Sequence, residues 1–565
     1  MRPMWLSCLL AFTSSACTLV IELIAGRIMA PYIGVSLYTW TSIIGVVLAG
    51  MSGGNFLGGV VADRFASRRT LGLIFLAGGV ASLGILVITH AIEGLTFGLS
   101  FLPRIVLSIA AIFFLPSFIL GMVSPLVVKL ALADLEHSGH TVGTIYAAST
   151  VGSIVGTFVT GFWLISWLGT RSIVWLVAAV LLVTGLSIGA FHRRRRGLAI
   201  VAGVGVTAVA LVAAGERGLP LSLAPASDGF RVLLLHVVVF GPPLIIAGGL
   251  RSRRLGAAAA ASAIMTFAVV RVAWGAGQYA APCDIESNYY CIKVLETSAR
   301  GHPARMLMLD RLVHSYVVPD DPTALDYGYE QAYSNLTQVH AAGRSRLDTL
   351  FIGGGGYSFP RYVEAVYPAS SIDVIEIDPA VIAVARERLG LPASSRIRSF
   401  NSDARMFLTE WTDPKQYDIV YGDAFNDLSI PYHLTTVEFN RIVAGRLKAD
   451  GIYLTNIIDK FEGGEFLKAE VNALRAVFPD VYVFGRGEAF RPFDRNTYVV
   501  MASKQPLDRD GLTALTAGDD PDARTTLLAE ERLKAYLTSG RALTLTDDFV
   551  PVDQLLANLF VERGK

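Results

Sequence analysis

The sequence predicts a polytopic α-helical membrane domain followed by a Rossmann-like α/β domain, the latter preceded by a small β-domain. Three observations predict it. Apolar runs of about 20 residues, the length that crosses a bilayer, follow one another through the N-terminal half. Charged residues become dense in the C-terminal half. There, four strand-like segments each end in glycines or in an acid, as in a parallel sheet that presents its carboxyl edge to a ligand. The division is 1–279 transmembrane, 280–342 small β-domain with a connecting helix, 343–505 Rossmann-like domain and 506–565 helical tail.

The membrane part rests on composition as well as on length. Of 565 residues, 53% are hydrophobic and the mean hydropathy is +0.50, too high for an ordinary soluble enzyme. Spans are expected near 4–25, 38–61, 70–92, 104–128, 142–167, 172–191, 197–214 and 231–249, with a ninth candidate at 255–274. The first run continues directly into similar ones, so a cleaved signal peptide is not expected. The protein is thus expected in the cell membrane as a multi-pass chain whose partner is the lipid bilayer. Nucleic acid is not an expected partner: the net charge is +1 and the arginines cluster between apolar runs, which leaves no basic face.

Basic connections set the orientation. DRFASRR (63–69), HRRRRG (192–197) and RSRR (251–254) belong in the cytoplasm by the positive-inside rule, together with the N-terminus. Eight spans then return the soluble part to the cytoplasm, whereas a ninth exports it. The ninth candidate is Ala-rich and carries Arg271, which favours an interfacial or re-entrant segment; the eighth, with Gly241-Pro242-Pro243, is the alternative irregular one. A cytoplasmic soluble part is therefore expected. Cys283 and Cys291 in CDIESNYYC read as two reduced thiols in that compartment and as a disulfide in an exported one.

Within the membrane half, Gly54 and Gly58, and Gly152 and Gly156, have the four-residue spacing that lets helices approach closely. Glu22 lies inside the first apolar run, where a charge needs a partner; Arg27 and Lys129 are the candidates. GGVVADRFASRR resembles the loop between the second and third helices of major facilitator transporters, with an extra residue and no glycine at mid-loop. Anchoring and the passage of a ligand both remain open.

In the soluble half, DTLFIGGGGYS (348–358) is a strand running into four glycines; such a turn lets a ligand approach the backbone and presents N–H groups at the next helix start. SIDVIEIDPAVI ends its strand at Glu376, about 20 residues on, where an acid accepts ribose hydroxyls. RIRSFNSD ends at Asp403 and YDIVYGD at Asp423. Each acid alone reads as a helix N-cap or a turn, but four such ends on one sheet edge read as a site. The order of Gly-rich loop, ribose acid, adenine-side acid and active-site acid fits an S-adenosylmethionine-type domain. The donor is then a co-substrate, S-adenosylmethionine or its decarboxylated form, and no tightly bound cofactor is expected. No Cys/His cluster has metal-ligand spacing, and no Ser, His and acid grouping suggests a hydrolase.

These residues resemble the spermidine synthase (polyamine aminopropyltransferase) family, and more closely its membrane-fused branch with a major-facilitator-like N-terminal domain. The resemblance covers residues from 284 to 503. ESNYYCIKVLE, MLMLDRLVHS and LDYGYEQAYSNL match the family's small β-domain and the segment after it; GGGGYS matches its GGGDGG, EID its acid at Glu376, SDA its GDG at Asp403 and DAFND its DSSDP at Asp423. The resemblance implies that Gly353, Gly354 and Gly355 lie against the methionine portion of the donor, that Glu376 holds the ribose, and that Asp403 meets the adenine amino group. It further implies that Asp423, assisted by Tyr329, deprotonates the attacking amine. The chain departs from the family at Tyr289-Tyr290 for Tyr-Gln, at Gly356 for the Asp of the Gly loop, at His314 for a Gln and at Asn426 for the second acid of DxxD. Tyr290, His314, Glu330, Asn426 and Asp427 are accordingly the candidate amine-binding residues, with Glu286 a further source of negative charge.

The function expected is a membrane-bound aminopropyltransferase that acts on a small polyamine or other amine and releases methylthioadenosine; a homodimer is compatible with this. The alternatives are an S-adenosylmethionine-dependent methyltransferase and a polyamine or nucleoside transporter or sensor without turnover. IPYHLTTVEF is expected to form the acceptor-side wall, with Thr435 or Thr436 as a helix cap and His433 structural. The segment ARTTLLAEERLKAYL (523–537) reads as an amphipathic helix with no assigned chemistry.

Overall fold

The structure is a computed structural model that describes residues 4–96, 99–132, 138–188, 282–299, 301–341, 343–424, 430–491, 494–507, 512, 524–540 and 542–559. The chain divides into two compact units on either side of Pro282 and Cys283.

The first unit is helical. Five helices among the described residues are long and apolar enough to cross a membrane: Met4–Ile33, Leu37–Phe65, Arg68–Ile92, Leu102–Ala131 and Ser138–Ile188. Ser36 and Ser67 cap the second and third by accepting the N–H groups of Thr39 and Thr70, a standard way to satisfy orphan helix donors. The last helix is broken at Gly169, whose φ of 69° is not helical, so the expected spans at 142–167 and 172–191 fall on the two sides of one kink. The seventh, eighth and ninth candidates lie outside the described residues.

The paired glycines work as spacing predicts. A methyl group on Gly54 would stand 2.0 Å from the Phe118 carbonyl oxygen, and one on Gly152 2.3 Å from that of Phe12, so backbone meets backbone at both crossings. Large apolar side chains such as Phe56, Phe162 and Trp167 point outward, 77%, 66% and 76% exposed, a surface that water disfavours. One expectation is corrected: Lys129 is not the partner of Glu22, because its Nζ pairs with Asp63 at 2.9 Å.

The second unit holds two sheets. Strands β1 (Ile285–Glu286), β2 (Cys291–Ala299), β3 (His302–Leu309) and β4 (Leu312–Val317) form an antiparallel sheet in that order. Cys283 and Cys291 are joined as a disulfide with Cα atoms 5.2 Å apart. The reading as two reduced thiols is thus corrected: the hairpin from β1 to β2 carries the chain back on itself and sets the two residues at bridging distance.

The larger sheet has eight strands: β5 (Asp348–Ile352), β6 (Ser371–Glu376), β7 (Arg398–Asn401), β8 (Tyr417–Gly422), β9 (Leu447–Lys460), β10 (Asp480–Arg486), β11 (Arg495–Ser503) and β12 (Thr525–Leu527), ordered 12-10-11-9-8-5-6-7. From β9 to β7 the strands are parallel, and β8 is buried along its whole length, which is why it reads as a continuous apolar run. Phe351 stacks on Tyr421 with ring centroids 4.4 Å apart, and the helix Gly328–Ala341 covers this face with Tyr329 and Tyr333. The segment expected to be one amphipathic helix is instead strand β12 and the helix Glu530–Thr538. The β-branched pair Thr525 and Thr526 suits strand more than helix, and it lies on the open edge of β10.

Candidate active site

The carboxyl ends of β5, β6, β7 and β8 open into one cleft. Gly353, Gly355, Glu376, Asp403 and Asp423 all line it, as do Tyr290 and His314 from the smaller sheet and its loops. Residues from six separate stretches of sequence therefore meet at the edge where open α/β sheets bind ligands.

The Gly-rich turn is locked from below. Gly353 has φ +98°, and a Cβ there would stand 2.6 Å from the Asp423 carbonyl oxygen; only glycine meets both conditions. Its N–H bonds the Ile375 carbonyl at 2.8 Å. The N–H of Gly354 donates to Glu376 Oε2 at 2.8 Å, and that of Gly356 to Ser315 Oγ at 2.9 Å. Glu376 Oε1 accepts the N–H of Asp378 at 2.9 Å. Glu376 thus joins the Gly-rich turn to the start of the next helix as well as facing the cleft. Burial raises its carboxyl above the usual range, opposed by these N–H donors.

Asp423 follows the last residue of β8. Its Oδ2 accepts the Tyr329 hydroxyl at 2.9 Å and its Oδ1 the Asn456 amide at 2.7 Å. The side chain reaches the cleft, so the residue is half-buried, yet removal from bulk water pushes its carboxyl up to about 7 while both hydrogen bonds oppose the rise. A carboxyl near neutrality can serve as a base at physiological pH. Burial and the nearby Asp423 charge hold the Tyr329 phenol well above its ordinary value, so Tyr329 acts as a hydrogen-bond donor rather than as a base.

The other candidates are distributed as follows. Asp403 accepts the Met406 N–H at 2.9 Å as a helix N-cap and also lies 2.7 Å from His433 Nε2. Tyr290 and His314 sit beside each other with ring centroids 6.4 Å apart. Glu330 is 1% exposed and is not on the cleft wall; Ser358 Oγ donates to its Oε1, and burial pushes its carboxyl up to about 8. Asn426 and Asp427 lie outside the described residues. Thr436 caps the helix Val437–Arg446. Sequence reasoning missed Asn456 and Ser315; a lone amide inside the apolar strand IYLTNII was the available sign for the first.

Residues 337–485 match the spermine/spermidine synthase domain. The matched stretch contains Glu376, Asp403 and Asp423, and stops before β11 and the tail. A polyamine aminopropyltransferase of Vibrio vulnificus is 33% identical over 136 residues, 24% of this chain and 44% of that protein. A probable polyamine aminopropyl transferase of Bifidobacterium longum is 28% identical over 235 residues, 40% of this chain and 52% of that protein. The bovine eEF1A lysine and N-terminal methyltransferase is 30% identical over 147 residues, 24% of this chain and 21% of that protein. The chain spans about half the length, or less, of these curated relatives. Proteins whose names say aminopropyl transfer and proteins whose names say methyl transfer are thus both similar to part of this chain.

Proposed function

We propose that the second unit is a transferase that moves an aminopropyl group from decarboxylated S-adenosylmethionine to an amine and releases methylthioadenosine. The observation that carries this reading is Asp423 at the cleft wall, held by Tyr329 and Asn456 and raised to about 7, next to a Gly-rich turn and two further strand-end acids.

In this reading Gly353, Gly354 and Gly355 lie along the donor's chain next to sulfur, Glu376 holds the ribose and Asp403 the adenine amino group. An acceptor ammonium pairs with Asp423, which takes one proton from it. The freed nitrogen lone pair attacks the propyl carbon attached to sulfur; the C–N bond forms, the C–S bond breaks, and its electron pair leaves on sulfur as the neutral thioether. Tyr329 and Asn456 each hold one carboxylate oxygen and so fix the orientation of the carboxylate toward the amine. Tyr290 and His314, on the same wall, contact the acceptor side. The negative charge of Glu376, Asp403 and Asp423 suits a cationic donor and a cationic acceptor together.

Methyl transfer from S-adenosylmethionine is the second reading, supported by the methyltransferase relatives. The nucleoside released separates the two: methylthioadenosine for the first, S-adenosylhomocysteine for the second. Binding of donor with neither product would leave a transporter or sensor.

The five apolar helices with their exposed aromatic side chains support a multi-pass membrane anchor in this proposal. The Cys283–Cys291 disulfide weighs toward an oxidising compartment for the catalytic unit, against the cytoplasmic side that the basic loops and eight spans favour. Labelling of an introduced surface cysteine in intact cells by an impermeant reagent decides the side.

A further inference from the structure

His433 and Asp547 have no part in the chemistry above: His433 lies within residues 337–485 without an assigned role, and Asp547 lies beyond them. Yet His433 reaches Asp403 itself, and Asp547 reaches the nearby Arg405. The Asp403 carboxylate spans two structures, accepting the Met406 N–H at 2.9 Å through Oδ1 and meeting His433 Nε2 at 2.7 Å through Oδ2. An ionised carboxylate has about four lone-pair sites, so a third donor can still be accepted. His433 belongs to the short turn Tyr432–Leu434 and lines the cleft together with Asp403.

That turn is tied down from the far end of the chain. Arg405 Nη1 donates to the His433 carbonyl at 3.1 Å and to Asp547 Oδ1 at 2.7 Å, and its Nη2 pairs with Asp547 Oδ2. Thr436 Oγ1 donates to Asp547 Oδ1 at 2.8 Å. The Asp547 N–H in turn bonds Glu438 Oε2 at 3.0 Å, and the Val437 N–H bonds the Leu545 carbonyl at 2.9 Å. Asp547 therefore fixes both Arg405, two residues after Asp403, and Thr436, three residues after His433. A fork of two charge-assisted hydrogen bonds gives orientation as well as energy.

We propose that His433 is a positioning residue for purine recognition: its Nε2–H fixes the Asp403 carboxylate so that a free lone pair faces the exocyclic amine of an adenine base, and Asp547 of the tail holds His433 in register. The proposal rests on the reading of the cleft as a nucleoside site. A 6-amino purine donates to Asp403, whereas a 6-oxo purine turns an oxygen toward the carboxylate. Selectivity between them is thus set by how firmly the carboxylate is held by His433 and the Met406 N–H, with Asp547 acting on it only through Arg405 and Thr436.

The test uses the full-length protein in detergent and measures calorimetric affinities for methylthioadenosine and its 6-oxo counterpart, methylthioinosine. His433→Ala is expected to weaken methylthioadenosine about tenfold, the size of one charge-assisted hydrogen bond, while the methylthioinosine affinity changes little, so that the ratio collapses. His433→Gln, which keeps a donor, should recover part of the loss, and kcat at saturating donor should stay within about threefold in both. Asp547→Asn should lower the ratio in the same direction, and the double variant should fall short of the product of the single effects because both act through one carboxylate. Equal loss of the two nucleosides, wild-type affinity in His433→Ala, or independent effects in the double variant overturns the proposal alone. Wild-type protein that binds neither nucleoside overturns both it and the reading beneath it.

Discussion

The Tyr329 hydroxyl donates to Asp423 Oδ2 across 2.9 Å, joining a helix that precedes the Gly-rich turn to a strand end 94 residues later in the chain. This pairing leaves the carboxylate with one oxygen held by Tyr329 and one by Asn456, and with its remaining lone pairs at the cleft wall. Removing the charge while keeping the shape, Asp423→Asn, should lower turnover by roughly 10²- to 10⁴-fold, the range for loss of a general base. Donor affinity, measured by calorimetry, should change by less than about threefold. Tyr329→Phe should cost less, since the carboxylate itself remains.

The two hydrogen bonds to Asp423 both favour its ionised form and oppose the effect of burial. Asn456→Ala removes one of them, so the carboxyl should rise above the value of about 7. The rising limb of kcat/KM against pH, which reports the free enzyme, should accordingly move to higher pH. In the wild type the limb of kcat should lie at lower pH than that of kcat/KM, because a bound sulfonium favours the carboxylate. A limb that stays in place in Asn456→Ala would show that another group controls the rate.

Glu330 and Asp459 are 1% and 0% exposed, and burial pushes their carboxyls up to about 8 and about 7. Unfolded carboxyls titrate near 4. Between that value and the folded values the native state binds more protons than the unfolded state, so stability falls as pH rises through this window, by at most about 1.4 kcal/mol per pH unit for each group. Thermal melts of the full chain should therefore give a higher midpoint at mildly acid pH than at alkaline pH. Glu330→Gln should flatten the slope.

Gly353→Ala places a methyl group 2.6 Å from the Asp423 carbonyl oxygen at φ +98°. Strain of this kind costs about 1 to 3 kcal/mol, and relief requires the turn to move away from Asp423. The variant should lose both stability and donor affinity. Glu376→Ala should do the same for a different reason: two N–H groups, those of Gly354 and Asp378, lose their acceptor, at about 1 to 3 kcal/mol for each one left buried. Melting and calorimetry on the same samples separate these losses from the pure rate defect of Asp423→Asn.

Three of the strand ends were legible in the sequence because an apolar run, buried along β5, β6 and β8 as in a parallel sheet covered on both faces, stops abruptly at an acid or glycine. Asp423, Glu376 and the Gly-rich turn could be found for this reason. What surrounds them could not, because the partners come from remote chain: Ser315 reaches the Gly-rich turn from β4, Asn456 reaches Asp423 from β9, and Asp547 reaches Arg405 across 142 residues. Lys129, one of two candidates for Glu22, pairs with Asp63 instead, since hydropathy places Glu22 in a span and Asp63 in a connection without saying which helices touch. The Cys283–Cys291 pair turned on compartment in the sequence and on hairpin geometry in the structure.

The most direct test of aminopropyl transfer follows the label. Full-length protein and its Asp423→Asn variant are incubated with putrescine and with either decarboxylated S-adenosylmethionine, isotopically marked in the propyl chain, or S-adenosylmethionine, and nucleosides and amines are identified by mass spectrometry. The wild type is expected to give methylthioadenosine and a labelled aminopropyl-amine with the decarboxylated donor, and Asp423→Asn neither, although it still binds that donor. S-adenosylhomocysteine as the nucleoside product, or donor binding with no product at all, would contradict aminopropyl transfer.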